Sequence, residues 1–169
     1  MINVTKTFFP PLDEYTVQLK RIWENQWLTN RGQLVLELED QLKKHLAVTH
    51  IILMNNGTIP LQIAMKLLGN GGEIITTPFS YVATTAAIVW ENCTPVYADI
   101  EADSLCIDPA KLRSKISART SAILATHVYG NPCDTLAIEK VAKEHNLKVI
   151  YDAAHAYGVE YGGKSLLHY

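Results

Sequence analysis

The stretch Leu147-Lys148-Val149-Ile150-Tyr151-Asp152-Ala153-Ala154-His155-Ala156 decides the fold class. Its apolar run from Leu147 to Tyr151 suits a strand covered on both faces, and the run ends in a carboxylate, Asp152, with His155 just beyond. The C-terminal edge of such strands is where α/β proteins place ligands. Upstream, segments with strand and helix character alternate. His50–Met54 reads as a strand and Gly57–Leu68 as a helix, with Thr58 and Pro60 in its first turn, where proline has no N–H to waste. Glu73–Thr76, Pro95–Ala98 and Ser121–Thr126 read as strands; Ser80–Trp90, Pro109–Ile116 and Asp134–His145 read as helices. Short connections between alternating elements imply an α/β fold: a mainly parallel sheet with helices on both faces.

Two helices precede this pattern. Leu34, Leu38, Leu42 and Leu46 recur every fourth position with Glu37, Glu39, Lys43 and Lys44 between them, which gives an amphipathic helix with one buried stripe. Asp13 to about Gln26 also reads as helix, with Val17, Ile22 and Trp23 available for a core face. Trp27-Leu28-Thr29-Asn30-Arg31-Gly32 is a polar break between them. The expected organisation is an N-terminal helical segment with a loop over 1–32, followed by one large domain over 33–169. The tail from Tyr157 to Lys164 reads as the start of a hairpin.

A chain of 169 residues can bury a substantial core, and 48% hydrophobic with 19% charged residues is the composition of an ordinary globular protein. Net charge is −2 with the signs interspersed, so no basic stripe points to nucleic acid. No apolar run reaches the length of a membrane span, and Met1 leads into Ile2-Asn3-Val4-Thr5-Lys6 with no signal-peptide core, so the expected location is cytoplasmic, with no membrane partner. Cys93, Cys106 and Cys133 show no C-x-x-C spacing, and an odd count makes no disulfide framework.

Three segments carry candidate chemistry. Asn56-Gly57-Thr58 lies between a strand and a helix, where free N–H groups and a partial positive charge favour a phosphate; Gly57 lets the backbone come close and the Thr58 hydroxyl adds a donor. Simple helix capping by Asn56 or Thr58 is the alternative. Tyr81 opens the next helix after the turn at Pro78, placed to stack on a flat heteroaromatic ring or to serve as a core aromatic. Asp152 suits holding a proton on a pyridine nitrogen, and His155 sits near the same edge. The alternatives are a turn cap for Asp152 and a satisfied, partly buried histidine for His155. A metal hydrolase built on His127, Asp152 and His155 is a rival chemistry, but no His-Glu-x-x-His or cysteine pair supports it, and no metal is expected. Gly69-Asn70-Gly71-Gly72 lacks the third glycine of a dinucleotide fingerprint and precedes a strand instead of following one.

Taken together, these segments resemble the DegT/DnrJ/EryC1/StrS family of sugar aminotransferases that use pyridoxal 5′-phosphate (PLP). The likeness runs from Trp27-Leu28-Thr29-Asn30 to Tyr161-Gly162-Gly163-Lys164 and includes Pro95-Val96-Tyr97-Ala98-Asp99-Ile100, Asp108-Pro109 and Thr126-His127-Val128-Tyr129-Gly130-Asn131-Pro132. The resemblance implies the three-layer large domain of a fold-type I PLP transferase. In it, Gly57 and Thr58 would hold the phosphate, Tyr81 would stack on the ring, Asp152 would face its nitrogen and His155 would sit beside it. It also implies amine transfer from an amino acid such as glutamate to a nucleotide-linked ketosugar, and a homodimer with a shared active site to which Trp27–Gly32 contributes. Two positions depart from the family: Ile59-Pro60-Leu61 follows Gly57-Thr58 where an alanine-leucine pair is common, and Tyr151 replaces an acidic residue before Asp152. Neither removes a needed functional group.

The family's Schiff-base lysine falls a few tens of residues beyond the aspartate-histidine segment, past Tyr169, and Lys164 matches a hairpin position. No catalytic residue is therefore expected within this chain, which on its own is expected to be nearly inactive and to represent the cofactor-binding half. The alternatives are a truncated, non-catalytic module and the family's sugar-dehydratase branch.

Overall fold

Alternate residues of the central strands point into two different cores. Ile74, Ala122 and Leu124 join Leu61, Met65, Ala87, Ile88 and Cys93 in one cluster. Their neighbours Ile75, Ile123 and Ala125 join Leu112, Cys133, Ile138 and Val141 in another. That division follows from the two-residue period of a strand and requires a sheet covered on both sides. The computed structural model describes residues 6–168, so the reading of Met1–Thr5 falls outside the described residues. Two compact units divide between Leu53 and Met54.

In the second unit, helix α3 (Thr58–Ala64) continues through a π turn over Met65–Gly69 and leads to β1 (Glu73–Thr76), α4 (Val82–Trp90) and β2 (Thr94–Tyr97). Then come α5 (Pro109–Leu112), β3 (Thr120–Thr126), α6 (Thr135–Glu144) and β4 (Lys148–Asp152). The strands form one sheet in the order β2-β1-β3-β4, every pair parallel. Helices α3 and α4 cover one face, α5 and α6 the other, giving the expected three layers. The chain runs from β1 outward to β2 and from β3 outward to β4, so the β1/β3 seam is the topological switch point. The expected terminal hairpin is present as β5 (Glu160–Tyr161) paired antiparallel with β6 (Lys164–Ser165). Cys93, Cys106 and Cys133 are free and buried.

The first unit holds α1 (Leu12–Asn25) and α2 (Gln33–Leu46), with the loop around Gly32 between them. Arg21 pairs with Glu37 at 2.5 Å, and Asn25 Nδ2 donates to Gln33 Oε1 at 3.2 Å. Val17, Ile22 and Trp23 do not make a core: no α1 residue is buried, because side-chain bridges of this polar kind join its exposed face to α2. The α2 stripe is only partly covered, with Leu46 buried and Leu38 exposed. A carboxylate takes the covered position instead. Glu39 is 1% exposed, receives Arg31 at 2.5 Å and accepts the Leu53 N–H at 3.1 Å. These partners hold its carboxyl below the ordinary range, the Arg31 hydrogen bond being the larger cause.

The Leu53 N–H, spent on the Glu39 carboxylate, belongs to a segment that differs from the sequence reading. His50–Met54 is not a strand: an apolar run becomes one only with a ladder partner, and among the described residues it has none.

Candidate functional site

Strand parity builds the site. Ile150 faces the α3/α4 layer, so Asp152, two residues on, lies on the same face at the strand's end. By the same count Thr126 follows Leu124 onto that face, and the register sets Thr126 directly opposite Asp152. The turn after β1 then brings Ser80 across the seam. Its hydroxyl lies 3.3 Å from Thr126 Oγ1 and 2.7 Å from Thr84 Oγ1, linking β1, β3 and α4. This hydroxyl cluster was not singled out in the sequence; the only signals were the i,i+4 spacing of Ser80 and Thr84 and the terminal position of Thr126.

A cleft of about 220 Å³ opens there. Its lining includes all five residues singled out from the sequence: Gly57, Thr58, Tyr81, Asp152 and His155. Gly57 precedes α3, and a Cβ built on it would meet nothing within 4 Å, so the backbone borders open space. The Thr58 hydroxyl makes no hydrogen bond among the described residues. The amides of Thr58 and Ile59 both donate to Asn56 Oδ1, each at 3.0 Å. Asn56 is thus a helix cap, so the capping alternative and the phosphate reading describe neighbouring atoms of one turn.

Tyr81 stands at the N-terminus of α4 with 73% of its surface exposed, and is not a core aromatic. Asp152 is half-buried; its Oδ1 accepts the Ala154 N–H at 3.0 Å, and Oδ2 has no protein partner among the described residues. The turn-cap alternative therefore accounts for one carboxylate oxygen. His155 is exposed, and its Nδ1 accepts the Tyr129 N–H at 3.3 Å. In a neutral ring this puts the proton on Nε2. The ring stacks on Tyr129 with centroids 5.9 Å apart and planes 8° apart.

Behind Asp152 lies His127, 2% exposed and stacked on Tyr151 at 5.2 Å. Its Nδ1 accepts the Cys133 N–H at 3.0 Å. Burial lowers its pKa below the ordinary value, and the Asp152 charge opposes that shift. Histidine 127 is thereby a neutral, packed support for the site wall. With both Nδ1 atoms accepting backbone amides, the metal-hydrolase reading finds no ligand set: among the described residues no three His, Cys, Asp or Glu side chains are grouped to hold an ion. No lysine lines the cleft, and Lys164 pairs with Tyr161 in the β5–β6 hairpin.

The model of the DegT/DnrJ/EryC1/StrS aminotransferase family matches residues 13–167. The chain belongs to that family. Among curated proteins it is 50% identical, over 167 residues, to dTDP-4-amino-4,6-dideoxy-D-glucose transaminase of Escherichia coli, a match covering 98% of this chain and 45% of that protein. The chain thus spans under half the length of that relative. Among solved structures, DesI in the presence of its TDP-sugar product superposes with a TM-score of 0.86 at 34% identity, covering 92% of this chain and 40% of that one. NtdA from Bacillus subtilis with bound cofactor PMP superposes with a TM-score of 0.84 at 30% identity, covering 91% of this chain and 36% of that one.

Proposed function

We propose that the cleft binds PLP and that this chain supplies the ring and phosphate contacts of a nucleotide-sugar aminotransferase. One observation carries the reading: five residues from three separate segments, which between them suit the different parts of one molecule, line one cleft at the topological switch point. The residues fit the group. Gly57 leaves room beside a helix start, and among the described residues the Thr58 hydroxyl is uncommitted and one Asp152 carboxylate oxygen has no hydrogen-bond donor. The similar solved structures support the same assignment, NtdA having been seen with PMP and DesI with a TDP-sugar product.

PLP, when bound, supplies an electron sink that stabilises negative charge developing at an amino acid's α-carbon. The chain's own residues prepare that sink. Asp152 holds a proton at the pyridine nitrogen through opposite charge. Tyr81 covers a flat face of the ring. Gly57 and the Thr58 hydroxyl hold the phosphate, since the Thr58 and Ile59 amides are taken up by Asn56. His155, with Nε2 as its donor, sits beside the ring's edge. None of these lining groups is a lysine, so their work is to hold and polarise the cofactor, not to anchor it covalently.

The substrates proposed are an amino-acid donor such as glutamate and a nucleotide-linked ketosugar, by analogy with the E. coli transaminase named above. The working form proposed is a cytoplasmic homodimer, with Trp27–Gly32 crossing to the neighbouring copy. Exposed Trp27 and Leu28 in that loop support the crossing, and three free cysteines suit a reducing compartment. Titration of the full chain with PLP, followed by absorbance, tests the core of the reading. Saturable one-to-one binding that weakens in Thr58→Val, Tyr81→Ala and Asp152→Asn is expected. No saturable binding, or binding indifferent to all three substitutions, would refute it.

A further inference from the structure

A second cleft of about 300 Å³ adjoins the first and shares Ser80, Tyr81, Thr126 and His155 with it. Its remaining wall is Phe79, Val128 and Tyr129, topped by Pro78. Four flat rings therefore surround a space that continues directly from the proposed cofactor cleft. Tyr129 is the unusual member. It has φ 54° and ψ 22° in the middle of a turn, a left-handed conformation that a bulky residue avoids without local compensation. Most other non-glycine residues with positive φ in this chain follow helix ends, where that conformation is routine; Tyr129 does not.

The compensation is visible. The Tyr129 N–H donates to His155 Nδ1, its ring stacks on the same imidazole, and Phe79 meets it edge-on with centroids 6.4 Å apart. Gly130 completes the clamp: at φ +84°, a Cβ there would sit 3.3 Å from the His155 carbonyl oxygen. Held this way, Tyr129 is still 71% exposed. A strained backbone fixes an aromatic ring beside an open cleft without burying it in the core, which is the arrangement of a binding wall.

We propose that Tyr129 is a substrate-positioning residue whose ring face, held by His155 and Phe79, receives the sugar ring of the nucleotide-linked substrate in this second cleft. The apolar C–H face of a pyranose needs a flat apolar partner, whereas the charged diphosphate does not; no Asp, Glu, Lys or Arg lines this cleft, and His155, the Ser80 and Thr126 hydroxyls and the Tyr81 and Tyr129 phenols are its titratable or polar groups. The sugar carbon to be aminated would then lie next to the shared wall of Tyr81 and His155. The inference rests on the PLP reading of the first cleft.

Isothermal titration of the PLP-loaded full chain tests it, with dTDP-4-amino-4,6-dideoxyglucose and dTDP alone as the two probes. For Tyr129→Leu, aminosugar affinity should fall tenfold or more, while dTDP and PLP affinities stay within twofold of the wild type. Tyr129→Phe should keep aminosugar affinity within threefold. Equal loss of dTDP binding would place the base on this ring, and equal loss in the phenylalanine variant would assign the effect to the hydroxyl; either overturns the proposal. Unchanged aminosugar affinity in the leucine variant overturns it while leaving the cofactor reading intact. Loss of PLP binding by that variant would make Tyr129 a support of the first cleft, not a sugar wall. A wild-type chain that binds no PLP removes the reading beneath the proposal, and the proposal with it.

Discussion

Replacing Asp152 by asparagine exchanges a charge for an amide of nearly the same shape. The asparagine carbonyl can still accept the Ala154 N–H now held at 3.0 Å by Oδ1, so fold stability should change by less than about 0.5 kcal/mol. What disappears is the negative partner for a protonated ring nitrogen. A hydrogen bond between two charged groups contributes roughly 1.5–3 kcal/mol in a half-exposed setting. At about 1.4 kcal/mol per factor of ten, the PLP dissociation constant of Asp152→Asn should rise roughly 10- to 150-fold. A second signature needs no cofactor. His127 is buried beside Asp152, whose charge raises its pKa against the effect of burial. With that charge removed, the His127 imidazole should titrate at lower pH, which histidine ring resonances report by NMR. A folded Asp152→Asn chain that binds PLP within twofold of the wild type would refute the ring-nitrogen role. An unmoved His127 would show that the carboxylate does not act on that ring at all.

Other outcomes follow from neighbouring features. Asn56→Ala removes the acceptor of two amide bonds and should cost about 0.5–2 kcal/mol in urea unfolding; PLP affinity should not weaken, and a tenfold loss would make Asn56 itself a phosphate ligand. Gly130→Ala places a Cβ at φ +84° and 3.3 Å from His155 O, so it should destabilise by about 1–2 kcal/mol; an unchanged urea midpoint would remove the case for a strained clamp. Stability should fall on acidification in two stages. The folded pKa of His127 lies below its ordinary 6.5, so the unfolded chain takes up that proton first and stability declines as pH drops below 6.5. Glu39 is likewise depressed below 4.5, so its contribution is present above 4.5 and is lost as pH falls through the folded value. Urea midpoints that stay flat from about pH 7 to about pH 5 would contradict the His127 stage.

Much of this was legible in the chain because strand and helix alternate with short connections. The Glu73–Thr76 strand has the boundaries its sequence implies, and β3 and β4 differ from their expected spans by a single residue at one or both ends. Asp152, Tyr81 and Gly57-Thr58 could be singled out because each stands at a strand end or helix start, where function in α/β sheets concentrates. What could not be read were properties of partnership. His50–Met54 has the composition of a strand, yet composition cannot supply a ladder neighbour. Val17, Ile22 and Trp23 give α1 apolar side chains, but the bonds that join that helix to α2 are polar and lie between residues separate in sequence. The Ser80–Thr84–Thr126 contacts and the Tyr129–His155 stack join residues up to 46 positions apart, through strand parity and a left-handed turn that no local pattern announces.

The β1/β3 seam has a kinetic meaning as well as a spatial one. Paired residues lie 21 positions apart between β1 and β2 and 26 apart between β3 and β4, but 48 apart, as for Ile74 and Ala122, between β1 and β3. Closing the longer loop in the unfolded chain costs about 0.7 kcal/mol more entropy than closing the β1–β2 loop, so the seam is the costliest of the three pairings to form first. The cleft takes Ser80 and Tyr81 from one side of that seam and Thr126 and Asp152 from the other. Neither half carries the whole cleft lining on its own. A molecule bound there meets only the joined state, so it acts as a latch: it slows the parting of the two halves and leaves their coming together as fast as before.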